Sequence, residues 1–115
     1  MSKFTEIEIK LLPIYGSSGF AGRFPRLTSF LKEWGYERVV DEAPNLYHFV
    51  EVLTRLRNDP SIPDIAKKPL LLLHDKIQTV RDEAREHLLA RQLNELDQDL
   101  YRLEDLYEDL ENEFF

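Results

Sequence analysis

The sequence predicts a helix-dominated α+β fold, and three observations support this prediction. Over residues 7–11, aliphatic residues alternate with charged ones, which is the period of a β-strand. Two later stretches repeat apolar residues at intervals of three and four, the spacing that places them on one helix face. From Leu70 to Glu113 the chain contains no glycine and no proline, and its composition favours helix throughout.

One or two short strands are expected near the start of the chain. The first lies within residues 4–15, where the aliphatic residues of the alternation share one side. Pro13 cannot donate to a ladder, so it ends this strand or confines it to a sheet edge. The second is expected over residues 36–40, which include Val39 and Val40.

Two short helices are expected around the second strand. Pro25 suits the first turn of a helix over 25–34, and Gly35 supplies the left-handed residue that ends it. Asp41 or Glu42 can cap the next helix, which stops near residues 58–60. The apolar stripes are Leu27, Phe30, Leu31 and Trp34 in the first helix, and Leu46, Phe49, Val50, Leu53 and Leu56 in the second.

The region after Leu70 is too long to form one straight helix inside a compact domain. Such a helix would measure roughly 65 Å at 1.5 Å per residue, whereas a domain of this size has a radius of gyration of about 13 Å. Its two apolar stripes lie on faces displaced by very roughly 140°. Either the chain reverses between His87 and Gln92, or the two halves face different partners. We favour different partners, because the usual turn residues are absent there.

An alternative fold follows if residues 70–74 and 77–80 are strands around a turn. The element order then becomes βαβαββα, which resembles a thioredoxin-like fold. The redox Cys-x-x-Cys is absent, since the chain contains no cysteine. This alternative therefore implies the architecture without the disulfide exchange.

Residues 93–115 are expected to form an acidic amphipathic helix, continuous with or packed on a small α+β domain over 1–92. Residues 94–115 contain one arginine and nine acidic residues, so the net charge of −7 arises there. The apolar residues of this helix occupy a and d positions of a heptad, and we call them the seam: Leu93, Leu96, Leu100, Leu103, Tyr107, Leu110 and Phe114.

This helix predicts a non-enzymatic adaptor, regulator or inhibitor that binds a basic or apolar groove of another protein. The seam would supply apolar contacts, while the acids would raise the association rate and the specificity. A narrower alternative is a nucleic-acid mimic that inhibits a nucleic-acid-binding protein. The acids assigned to the binding surface are Asp97, Asp99, Glu104, Asp105, Glu108, Asp109 and Glu111.

The same charges limit the other partner classes. An acidic helix disfavours direct binding of nucleic acid or of an anionic membrane. A homo-oligomer is compatible with the sequence, but like charges beside the seam disfavour one built on this helix. The longest aliphatic run is too short to cross a bilayer, and there is no apolar signal core, so a cytoplasmic protein is expected.

A second alternative function is the binding of phosphate or a nucleotide by a glycine-rich loop. Its candidate residues are Gly16, Gly19, Gly22, Arg23 and Arg26. The glycine spacing departs from the dinucleotide-binding pattern, and the chain has too few strands for a doubly wound sheet. No nucleophile motif and no metal-ligand spacing is present, so no catalysis, cofactor or metal is expected.

Overall fold

The structure, a computed structural model, describes residues 19–42 and 45–114. In these ranges the chain is helical and contains no strand, so the expected α+β fold is wrong. The first expected strand and Gly16 lie outside the described residues. The helices are α1 (Gly19–Arg23), α2 (Pro25–Glu33), α3 (Glu37–Glu42), α4 (Leu46–Asn58), α5 (Lys68–Leu89) and α6 (Leu93–Glu113).

The second expected strand is replaced by α3. Gly35 has a φ of 83°, and the Tyr36 N–H donates to the carbonyl of Leu31 at 2.7 Å, which closes the end of α2. The chain then continues as a short helix whose Val39 and Val40 are half-buried against the core. Packing of these valines outweighs their preference for a strand, which is small and depends on context.

The thioredoxin-like alternative is also wrong, because residues 70–80 lie inside the single helix α5. The chain reverses after α5, although neither glycine nor proline is present. Arg91 adopts a φ of 57°, and its N–H donates to Leu88 while that of Gln92 donates to His87. These two bonds form a Schellman motif with arginine in the left-handed position. Helices α5 and α6 therefore share one core, and the expectation that they face different partners is wrong.

The core lies between the antiparallel α5–α6 hairpin on one side and α1, α2 and α4 on the other. Tyr107 of α6 is fully buried at its centre. The centroid of its ring lies 6.2 Å from that of Phe24 and 5.9 Å from that of Phe49. Its hydroxyl donates to the carbonyl of Leu46 at 2.9 Å, so the buried polar atom is satisfied.

Polar groups organise the connection between α4 and α5. The Lys67 ammonium is buried and donates to the carbonyls of Arg57 and Asp59, at 2.7 and 3.0 Å, at the end of α4. The Asp59 carboxylate accepts from the N–H and the hydroxyl of Ser61 and from the Tyr36 hydroxyl. The hydrogen bonds from Ser61 hold the pKa of Asp59 below its usual range.

Candidate protein-binding face

The seam of α6 faces the protein's own core. Its buried members are Leu96, Leu103, Tyr107, Leu110 and Phe114. Leu100 is half-buried against the same core, while Leu93 at the start of the helix is 56% exposed. Buried side chains cannot contact a partner in this fold, so the apolar part of the expected binding surface stabilises the fold instead.

Glu111 also has a role within the fold. Its carboxylate accepts from the backbone N–H groups of Arg26 and Leu27, at 3.0 and 2.9 Å, in the first turn of α2. Phe24, the residue before α2, offers no side-chain cap. A carboxylate from α6 therefore caps the N-terminus of α2, where the helix dipole favours negative charge. The sequence carries no signal for this pairing, because the two segments lie more than eighty residues apart.

Asp99 is the second acid that the fold uses. Its side chain is 5% exposed and accepts from the Nδ1 of His87 across the hairpin. Arg102 lies 3.4 Å from Asp99 and 2.7 Å from Glu83 of α5. These contacts join α5 to α6 next to the turn, so Asp99 is not available to a partner.

The two arginines of the expected anion-binding loop are engaged by α6. Arg23 lies 3.1 Å from Glu108 and 3.7 Å from Glu104. Arg26 donates to the carbonyl of Phe114 at 3.2 Å. Gly19 and Gly22 lie within α1, a helix of five residues. Glu104 and Glu108, which were expected to face a basic partner, thus meet Arg23 of their own chain, and an anion at Arg23 would have to compete with these carboxylates.

The remaining three acids have no such role. Asp97, Asp105 and Asp109 are exposed and form no ion pair with any residue in 19–42 or 45–114. Positions 97, 101, 105 and 109 are four residues apart. Aspartates occupy three of these positions, and Tyr101 occupies the fourth. We call these four residues the Tyr101 ridge, because residues four apart form one row on a helix surface.

Tyr101 is 61% exposed, although its ring is large and mostly apolar. Asp97 and Asp105 lie one turn before and one turn after it, each at about 6 Å along the helix axis. Sequence reasoning missed this residue because it lies outside the a and d positions. A search for aromatic residues on the polar face of the predicted helix would have found it.

A groove between α5 and α6 borders the Tyr101 ridge. Its volume is about 530 Å³, and Asp105 and Arg102 contribute to its rim. The buried side chain of Val80 and the half-buried side chain of Leu106 provide apolar lining. The groove therefore combines an apolar lining with charged side chains, one of which belongs to the Tyr101 ridge.

One contact resembles a catalytic arrangement. Thr54 Oγ1 lies 2.8 Å from His74 Nε2, and His74 Nδ1 lies 3.2 Å from Asp75 Oδ1. The Thr54 hydroxyl, however, also donates its single proton to the carbonyl of Val50 at 3.0 Å. His74 is 1% exposed, so its ring does not reach a substrate at the surface. We assign these residues to the attachment of α4 to α5.

Within the described residues, no group of three or more potential ligands is placed to hold a metal ion. None of the described helices is long and apolar enough to cross a lipid bilayer. Comparisons of the chain with protein-family models, with curated proteins and with solved structures find no match.

Proposed function

We propose that this protein is a non-enzymatic adaptor, regulator or inhibitor whose Tyr101 ridge binds a basic surface of another protein. The observation that carries the proposal is an exposed tyrosine between two aspartates that have no ion-pair partner in the described part of the chain. Tyrosine is enriched among the residues that dominate protein interfaces. Unpaired carboxylates around it would steer a basic partner and orient it.

The acids of α6 differ in whether they contact their own chain, and this difference supports the proposal. Asp99, Glu104, Glu108 and Glu111 all contact groups of their own chain, whereas the three aspartates of the Tyr101 ridge do not. Asp109 also lies about one turn before the end of α6, where the helix dipole disfavours negative charge. The fold gains little from the aspartates of the Tyr101 ridge, which is expected of residues kept for binding.

The test compares variants that change the net charge equally. The triple variant D97N/D105N/D109N removes the ridge carboxylates, and the control E37Q/E51Q/D64N removes three exposed acids elsewhere. The wild type and both variants are immobilised, and each is used to capture proteins from the source cell's lysate at low and high salt. We expect one protein to bind the wild type and the control, to bind the triple variant at least tenfold less, and to be released by salt.

A second variant, Tyr101→Ser, separates the apolar anchor from the charges. It should weaken capture of the same protein without changing how capture depends on salt, because the aspartates remain. Equal capture by the wild type, the triple variant and Y101S would contradict the proposal and move the binding site off α6.

The nucleic-acid mimic is a narrower version of the same proposal. It requires that the captured protein bind nucleic acid and that duplex DNA compete with this chain for it. Release of the purified partner by duplex DNA would support this version, and a partner indifferent to DNA would contradict it. In either version, we expect the protein to act in the cytoplasm.

A further inference from the structure

One arginine of this chain is held by an aromatic ring and by carboxylates together. Arg23 Cζ lies 5.4 Å from the centroid of the Phe24 ring, within the range of a cation–π contact. The same guanidinium lies 3.1 Å from Glu108 and 3.7 Å from Glu104. A planar guanidinium can make both contacts at once, because its face stacks on a ring while the N–H groups at its edge point towards carboxylate oxygens.

Arg81 of α5 repeats this arrangement. Its Cζ lies 5.8 Å from the centroid of the Tyr47 ring, and its Nε lies 3.1 Å from Asp82. A lysine ammonium is a compact and more strongly hydrated charge without a planar fork, so it gains less from such a pair of groups. An aromatic ring beside a carboxylate is therefore a combination that this fold twice completes with arginine.

The Tyr101 ridge offers the same combination without a cation. The Tyr101 ring is 61% exposed, and among the described residues no cation lies over it. Asp97 and Asp105 are both exposed, and residues four apart on a helix have their Cβ atoms about 6 Å from each other. A guanidinium stacked on the Tyr101 ring would therefore be within reach of either carboxylate.

The cations closest to the Tyr101 ridge do not complete it. Arg102 follows Tyr101 in the sequence, but its guanidinium lies 2.7 Å from Glu83 of α5 and joins the two helices. Lys76 lines the α5–α6 groove together with Asp105, and no ion pair joins these two residues. The cation that matches the ring and its carboxylates must therefore come from another molecule.

We propose that the Tyr101 ridge recognises an arginine of its partner. The guanidinium stacks on the Tyr101 ring and donates hydrogen bonds to the carboxylate of Asp97 or Asp105. This inference rests on the proposed function and specifies its partner: a basic segment anchored by arginine rather than by lysine. Arginine is also the basic residue that protein interfaces favour, whereas lysine is depleted there.

The preference for arginine is tested with two alanine-rich peptides. One carries arginines spaced four residues apart, and the other carries lysines at the same positions. Each is titrated at low salt into the isotope-labelled full chain, and the backbone amide resonances are followed by NMR. We expect the arginine peptide to bind with a Kd at least about threefold lower than that of the lysine peptide, because the stacking contact adds to the ion pair. The shifted resonances should belong to residues 97–109.

Two variants separate the ring from the carboxylates. Tyr101→Leu keeps an apolar side chain that suits a helix but removes the ring, so it should abolish the preference for the arginine peptide. D97N/D105N should weaken the binding of both peptides by at least about threefold. The control E37Q/E51Q removes two exposed acids elsewhere and should weaken both much less. The spectrum of each variant shows directly whether the chain remains folded.

Equal affinities of the wild type for the two peptides would overturn the assignment of arginine, and so would a preference that persists in Y101L. The assignment also fails if neither peptide shifts the resonances of residues 97–109 at millimolar concentration. These outcomes differ from a failure of the proposed function, which would appear as equal capture from lysate by the wild type, D97N/D105N/D109N and Y101S.

Discussion

At the scale of single residues, Asp59 couples the stability of the fold to pH. Its carboxylate accepts two hydrogen bonds from Ser61 and one from Tyr36, and the pKa of Asp59 is lowered. A carboxyl group with a lowered native pKa stabilises the fold above its ordinary pKa, and this stabilisation is lost as the pH falls through the native pKa. The contribution is therefore complete at neutral pH and disappears in acid.

We expect Asp59→Asn to lower the melting temperature at pH 7 and to have a progressively smaller effect below about pH 4. Thermal unfolding followed by circular dichroism from pH 7 to pH 2.5 measures the difference. Asp64→Asn is the control, because Asp64 is exposed in the same connection. A difference between D59N and wild type that does not shrink in acid would contradict the assignment.

At the scale of secondary structure, Glu111 replaces the missing cap of α2. Glu111→Ala leaves the N–H groups of Arg26 and Leu27 without their acceptor, and we expect a loss of about 1–3 kcal/mol in the free energy of unfolding. Glu111→Gln keeps one acceptor oxygen, so its free energy of unfolding should lie between those of the wild type and E111A. Glu104→Ala, which breaks only a surface ion pair with Arg23, should cost less than about 1 kcal/mol.

Urea denaturation at pH 7 provides these comparisons. Equal losses in E111A and E104A would show that the Glu111 carboxylate acts as an ordinary surface charge and not as a helix cap.

The turn between α5 and α6 yields a second prediction at this scale. Arg91 occupies the left-handed region, which is costly for any residue with a Cβ and most costly for a β-branched one. Arg91→Gly and Arg91→Val remove the same side-chain contacts and differ in this backbone cost. We expect R91G to be more stable than R91V by about 1–2 kcal/mol in urea denaturation. Equal stabilities would mean that the turn relaxes into another conformation.

The elements that could be predicted are those whose signals are local. The stripe and the proline of α2 correctly placed a helix at Pro25–Glu33, and the stripe of α4 did the same for Leu46–Asn58. The cap of α4 is Asn45 rather than Asp41 or Glu42, since the Asn45 side chain accepts from the N–H of His48. An error of a few residues is usual for boundaries.

The reversal after α5 could not be predicted from turn residues, because arginine gives no indication of a left-handed conformation. Packing between α5 and α6 offsets the cost of the left-handed conformation of Arg91, and the local sequence does not reveal this packing. The prediction of the candidate site from the sequence was limited in the same way. Charge alone does not distinguish Glu111, which caps α2, from Asp109, which faces solvent; only the fold separates them.

At the scale of the whole molecule, the acidic surface opposes stability. The chain carries a net charge of −7, and the aspartates of the Tyr101 ridge have no ion-pair partner in the described part of it. We expect D105N/D109N to be as stable as the wild type or more stable, by at most about 1 kcal/mol for each residue. The gain should fall in high salt, which screens the repulsion. A melting temperature clearly below that of the wild type would assign these aspartates to the fold.

The contribution of α6 to the core also determines when this protein can fold during synthesis. Tyr107 and Leu110 fill the space between the first helices, and Glu111 caps α2. While a ribosome is still producing residues before about 107, the helices already outside the exit tunnel lack both their packing partner and their cap. Domains generally fold as units during synthesis. The nascent chain therefore exposes the apolar faces of α2, α4 and α5 until α6 emerges, and a pause in translation just before α6 would prolong this exposure.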